Sequence, residues 1–203
     1  MKILLIHGLG RTPLSMWGMA AALRKAGHTP IFFGYTSLLQ SFDQIVEGLR
    51  DRLQQLSTDG PYGIVSHSLG GVLTRAALAD ADFPLPAHVV MLAPPNQAPR
   101  IGQLANGLPP FRWFSGQSGQ NLASPEFYRQ LPILSCPYTL IAGTVGLTGS
   151  LSLFGEEVND FIVGIEEVKM QPQDVPLKVP ALHSFMMNDS RAQALTVGAF
   201  SEQ

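Results

Sequence analysis

Ser66-His67-Ser68-Leu69-Gly70-Gly71 decides how the rest of the chain is read. The short apolar run Ile64-Val65 leads into it, and Val72-Leu73-Thr74-Arg75-Ala76-Ala77-Leu78-Ala79 leads out of it. The first run predicts a buried strand and the second a helix. A serine with glycines two and three positions beyond it therefore stands at the apex of a strand, a sharp turn and a helix. Such a turn forces its apex residue into a tight backbone conformation, so only small neighbours fit. The hydroxyl also lies at a helix start, where free backbone N–H groups stabilise negative charge. These features make Ser68 a candidate nucleophile.

Strand and helix patterns alternate on both sides of this turn. Ile3-Leu4-Leu5-Ile6 is a continuous apolar run closed by His7-Gly8-Leu9-Gly10. A run without alternation predicts a strand buried on both faces, as in a parallel sheet. Pro13 opens a helix through about Ala26, with Trp17, Ala21 and Leu23 expected in the core and Gly27 as the stop. Pro30 to Phe33 is a second strand. Ser41 caps a helix in which Ile45, Leu49, Leu53 and Leu56 recur at helical spacing, ended by Gly60-Pro61. His88 to Leu92 is another strand, leading to Ala93-Pro94-Pro95-Asn96. Tyr138 to Gly143 restores a strand, Pro180 to Leu182 ends the last one, and Asn188-Asp189-Ser190 caps a closing helix.

This order predicts a three-layer α/β/α sandwich with a mostly parallel sheet of about six strands. Ligands in such sheets bind beyond the carboxyl ends of the strands. His7-Gly8, Ser68, Ala93-Pro94 and Gly143 all follow strands at that edge. Residues 1–203 form one domain in this reading, with 96–134 as a lid- or cap-like insertion. The insertion carries Leu104, Leu108, Phe111, Trp113, Phe114, Leu122, Phe127 and Tyr128, which either wall a substrate pocket or pack as short helices on the sheet edge. Leu147, Leu151, Leu153 and Phe154, in a second glycine-rich loop from Gly143 to Gly155, are expected to line the same pocket. Both features favour an acyl or otherwise apolar substrate over a peptide or sugar.

Composition narrows the classes. Hydrophobic residues make up 45% of the chain and charged ones 14%, which excludes disorder. A net charge of −2 gives no electrostatic footprint for nucleic acid or an anionic membrane. Cys136 is the sole cysteine, so no internal disulfide forms and no Cys/His cluster points to zinc. No metal or organic cofactor is expected. The first apolar run is too short for a signal-peptide core, and no stretch approaches the roughly 18 apolar residues that span a bilayer. The expected location is the cytoplasm.

A serine hydroxyl is a poor nucleophile at neutral pH. It needs a histidine to take its proton, an acid to hold that histidine, and backbone N–H donors for the oxyanion. The residues that supply these parts bring a resemblance with them. His7-Gly8-Leu9-Gly10 is similar to the HG oxyanion motif of the α/β-hydrolase family, and Ser66 to Gly70 to its G-x-S-x-G elbow. Asn159-Asp160-Phe161-Ile162-Val163 resembles the family's Asn-Asp-Gly-x-Val acid segment, and Leu182-His183-Ser184-Phe185-Met186 its histidine segment. The resemblance covers nearly the whole chain and is closest to small lipase- or esterase-like members. It implies a triad of Ser68, His183 and Asp160, with oxyanion donors from the backbone of Leu9 and Leu69. Phe111, Trp113, Phe114 and Leu147 then become the expected pocket or lid residues. Two positions depart from the pattern: Ser66 replaces the first elbow glycine, and Phe161 replaces the glycine after the acid. Ser66 predicts a more crowded turn.

Each role has competitors. His67 adjoins Ser68 at a sharp turn and is expected to pack behind it; His7 is expected to orient the oxyanion loop. His28 is expected to face solvent and His88 to begin a strand, at the edge of the sheet far from the serine, which leaves His183 as the base. Glu156, Glu157, Asp160 and Asp189 compete as the acid; Asp189 also reads as a helix cap, and Glu156 and Glu157 as surface charge. Cys136 reads as a buried structural thiol. The expected activity is serine-dependent hydrolysis of carboxylic esters, of a small-molecule or lipid-like acyl substrate. Acyl transfer or thioester cleavage uses the same machinery, and a non-catalytic binding protein shares the fold.

Overall fold

The short apolar runs form six parallel strands: β1 (Lys2–Ile6), β2 (Thr29–Phe33), β3 (Tyr62–His67), β4 (His88–Leu92), β5 (Tyr138–Gly143) and β6 (Leu177–Val179). They pair in the order β2-β1-β3-β4-β5-β6. This computed structural model describes residues 1–37, 39–80, 83–101, 124–150 and 152–201. Most of the expected insertion, including Leu104, Leu108, Phe111, Trp113, Phe114 and Leu122, lies outside the described residues, as does Leu151.

Alternate residues of each strand feed two cores. Leu4, Ile6, Ile64, Val89, Met91 and Leu140 face one layer, built from α2 (Phe42–Thr58) and α3 (Leu69–Ala77). Ile3, Leu5, Val65, Val90, Leu92 and Ile141 face the other, built from α1 (Trp17–Lys25) and the C-terminal helix. A sheet covered on both faces has no solvent side, which is why its strands read as unbroken apolar runs. On α2, Ile45, Leu49, Leu53 and Leu56 are all buried, and Ser41 closes a capping box with Gln44.

The helical face of α1 differs from expectation. A 3-10 turn, Pro13–Met16, precedes the helix, and the buried stripe is Met16, Met19, Ala20 and Leu23. Trp17 is 59% exposed and Ala21 is also exposed, so neither joins the core. The stripe follows the i, i+3, i+4 rule from Met16, one position before the tryptophan. The last strand also ends earlier than expected. β6 stops at Val179, opposite Gly143, because Pro180 has no N–H to continue the ladder. Within 124–134, the helix α4 (Pro125–Gln130) buries Tyr128 and sets Phe127 edge-on against Phe42 of α2. Those two aromatics are packed against the sheet layer.

The carboxyl ends of β1, β3, β5 and β6 lead to the residues singled out by sequence. β5 is followed by the loop that carries Asn159 and Asp160, then by α5 (Ile165–Val168). β6 leads through Pro180 to Leu182 into a 3-10 helix, His183–Asn188, and then α6 (Ser190–Ser201). Asp189 Oδ1 accepts from the N–H groups of Arg191 and Ala192, which is its cap role.

Candidate active site

Ser68 sits between β3 and α3 at φ 53°, ψ −122°. That is a costly conformation for a residue with a Cβ, and the surroundings hold it there. Its N–H donates to the Leu92 carbonyl at 3.0 Å, and its carbonyl accepts from Gly71 N–H at 2.8 Å. The glycines make room for this. A Cβ on Gly70 would lie 2.7 Å from the Ile6 carbonyl oxygen, and one on Gly8 3.1 Å from the Ser68 Cβ. The turn after β1 is thereby brought against the serine. Leu69 supplies the first N–H of α3, a donor with no intrahelical acceptor. Leu9 lies in the abutting turn, which Arg11 N–H closes on the Gly8 carbonyl at 3.3 Å.

The His183 ring bridges two residues far apart in sequence. Its Nε2 lies 3.0 Å from Ser68 Oγ and its Nδ1 2.8 Å from Asp160 Oδ2. A carboxylate only accepts, so Nδ1 carries the ring proton and Nε2 is left to accept from the serine hydroxyl. Asp160 is buried, and its other oxygen, Oδ1, accepts from Ile162 N–H at 3.0 Å and Val163 N–H at 2.8 Å. The arrangement can draw the hydroxyl proton onto the imidazole and stabilise the cation so formed.

The acid turn is built by side chains. Asn159 Nδ2 donates to the Leu147 and Glu157 carbonyls at 2.8 and 3.0 Å, and Oδ1 accepts from Phe161 N–H at 3.0 Å. Phe161 has φ 79°. This is the left-handed region, which accounts for the family's glycine at that place. Leu147 is exposed and lines a cavity of about 150 Å³ with Leu153, Phe154 and Phe161, beside the acid turn.

The other acids stand away from His183. Glu156 is exposed, as expected. Glu157 is not free surface charge: it pairs with Arg100 at 2.5 Å and accepts from Glu166 N–H. Cys136 is buried, and burial pushes its thiol up to about 11. Among the described residues, no three His, Cys, Asp or Glu side chains are grouped to share a metal ion, and no helix is long and apolar enough to cross a membrane.

The remaining histidines divide. His7 orients the β1 turn, as expected: Nδ1 lies 2.9 Å from the Gly8 carbonyl. Sequence reasoning missed its support. Tyr35 stacks on the His7 ring at 4.1 Å and donates its hydroxyl to the His7 carbonyl at 2.7 Å. No local pattern marks Tyr35, because the contact joins the ends of two neighbouring strands. His28 is half-buried rather than solvent-facing, with its ring edge-on to Phe200 of α6. His88 begins β4 and meets Thr139 Oγ1 at 2.8 Å. His67 is buried, with Nε2 2.9 Å from the His183 carbonyl. Burial, followed by the charge of His183, holds His67 well below the usual histidine range, and burial lowers His7 as well. Ser66 is fully buried, and its hydroxyl has no hydrogen-bond partner among the described residues.

Comparison with known proteins agrees with this architecture. The profile described as the alpha/beta hydrolase family matches residues 3–177. No curated protein sequence matches the chain. Among solved structures, the chain is similar to the mature lipase BlEst2 from Bacillus licheniformis, with a TM-score of 0.75 and 19% identity over 99% of this chain and 90% of that one. It is similar to the phospholipase PlaB from Legionella pneumophila, with a TM-score of 0.64 and 18% identity over 84% of this chain, which spans only 46% of the phospholipase. It is also similar to the RedJ thioesterase of Streptomyces coelicolor, with a TM-score of 0.61 and 13% identity over 100% of this chain and 91% of that one.

Proposed function

Because the chain belongs to the alpha/beta hydrolase family, we propose that it is a serine hydrolase that cleaves carboxylic esters through an acyl-enzyme. One observation carries this reading: the Ser68 hydroxyl, the His183 ring and the buried Asp160 carboxylate form one hydrogen-bonded line. In the first step Ser68 Oγ attacks the ester carbonyl carbon while its proton passes to His183 Nε2. Asp160 stabilises the imidazolium. The N–H groups of Leu9 and Leu69 receive the oxyanion. Collapse of the tetrahedral intermediate expels the alcohol, which takes the proton from His183. Water then attacks the acyl-enzyme by the same route and frees the acid. Leu147 and its apolar neighbours are assigned to the acyl side of the substrate.

A fluorophosphonate probe and a series of p-nitrophenyl esters test the reading. Labelling at Ser68 and ester turnover are expected, and both disappear in Ser68→Ala. A folded wild-type protein that takes up no probe would overturn it. A panel that includes acyl thioesters decides between ester and thioester preference.

A further inference from the structure

The elbow holds a second imidazole that the relay does not use. His67 directly precedes Ser68 and is 2% exposed. Its ring lies 5.0 Å from the His183 ring at an angle of 49°. Its Nε2 stands 2.9 Å from the His183 main-chain oxygen. A carbonyl oxygen only accepts, so His67 Nε2 carries the proton and donates it. Nδ1 is then unprotonated, and it has no hydrogen-bond partner among the described residues. That nitrogen faces Gly8, where a Cβ would come within 2.9 Å. A second ring proton would have no acceptor there, so the site takes one tautomer of the neutral ring.

The His183 N–H and the carbonyl of the next residue make longer contacts. His183 N–H reaches the Asp160 carbonyl at 3.3 Å, and the Arg11 guanidinium reaches the Ser184 carbonyl at 3.3 Å. Of the residues on either side, Leu182 is exposed and Ser184 half-buried, while Met186 and Met187 further along the same 3-10 helix are buried against the sheet. The His67 bond is the shortest of the three tethers, and it comes from the residue adjoining Ser68.

We propose that His67 is a positioning residue for His183: the elbow grips the histidine twice, Ser68 at the ring and His67 at the main chain, so that the Oγ to Nε2 distance is set within one rigid unit. This rests on the proposed roles of Ser68 and His183. A base displaced by about 1 Å loses on the order of 100-fold in rate without losing substrate affinity. A donor at the Nε2 position is therefore what matters, and a glutamine amide can place one there.

The test compares His67→Met, which removes the donor, with His67→Gln, which restores it. His67→Met is expected to lower kcat and the fluorophosphonate labelling rate together, by roughly 10- to 100-fold, with KM within about 2-fold. His67→Gln is expected to recover to within about 5-fold of wild type at a Tm matching that of the Met variant. Wild-type rates in the Met variant, or equal losses in Met and Gln, would overturn the proposal. Nitrogen-15 spectra of the wild-type histidines give an activity-free readout: His67 is expected protonated at Nε2, and an Nδ1-protonated ring sinks the proposal. If His67→Met does not fold, that tautomer and the Gln rates decide. A wild type that takes up no probe breaks the hydrolase reading instead and leaves the tautomer result standing.

Discussion

Around Ser68 the backbone comes so close to its neighbours that a Cβ on Gly70 would sit 2.7 Å from the Ile6 carbonyl, whereas around Asp160 the turn is tied by side chains, Asn159 alone making three hydrogen bonds to backbone groups. The serine turn is shaped by side chains that are missing. The acid turn is shaped by side chains that are present. The first kind of turn is written into six consecutive residues. The second depends on partners along the loop, and it tolerates Phe161 in a conformation that suits glycine.

Each turn has its own breaking point. The largest effect is expected from Asp160→Asn, which leaves the turn nearly intact but disfavours the Nδ1-protonated tautomer of His183. kcat should fall by about 100- to 10,000-fold with little change in Tm. A variant that keeps full turnover would remove Asp160 from the relay. Next, one methyl added to the elbow should do what one amide removed does to the acid turn. Gly70→Ala is expected to cost about 1–3 kcal/mol by overpacking against backbone that cannot move aside. Asn159→Ala is expected to cost about 1–3 kcal/mol through carbonyls left without donors. Denaturant midpoints measure both, and a neutral Gly70→Ala would refute the steric account of the elbow.

The two turns should also part in acid. His67 at the elbow and His7 in the β1 turn abutting it have folded pKa values held below 6.5 by burial. Their contribution is fully present above pH 6.5 and is lost as pH falls toward the folded values, because the unfolded chain then binds more protons. Glu167, buried in α5 beyond the acid turn, runs the other way. Burial raises its folded pKa above 4.5, so it weakens the fold as pH rises through that range. Net stability is expected to decline below pH 6.5, by up to about 1.4 kcal/mol per pH unit for each histidine, and His67→Gln should flatten the decline. Thermal melts from neutral pH down to mild acid read it; equal slopes in the two proteins would show that His67 is not the titrating group. The smallest effect is expected at Phe161→Gly. Relief of its positive φ should outweigh the added freedom of the unfolded chain, raising stability by about 1 kcal/mol. A lower Tm would mean that the ring's packing around the 150 Å³ cavity matters more.

Much of this could be read from single stretches. The elbow, the helix cap at Ser41 and the unbroken strands of a sheet buried on both faces each depend on neighbours in sequence. The placement of Trp17 could not, because which face of α1 turns inward is decided by the sheet and α6, and they select the stripe one residue before the tryptophan. The contact between Glu157 and Arg100 and the stacking of Tyr35 on His7 were invisible for the same reason: each joins residues from separate segments of the chain.

Local sequence is enough for the order of strands and helices and for a serine at the apex of a turn. These follow from backbone sterics, apolar periodicity and the small size of glycine, which act over a few residues. The folded chain sets which groups meet: His183 with Ser68, Asp160 with His183, and His67, beside the serine, with the His183 carbonyl. Hydrogen bonds between groups 23 and 116 residues apart exist only once the sheet has brought its carboxyl edge together, so no local pattern encodes them.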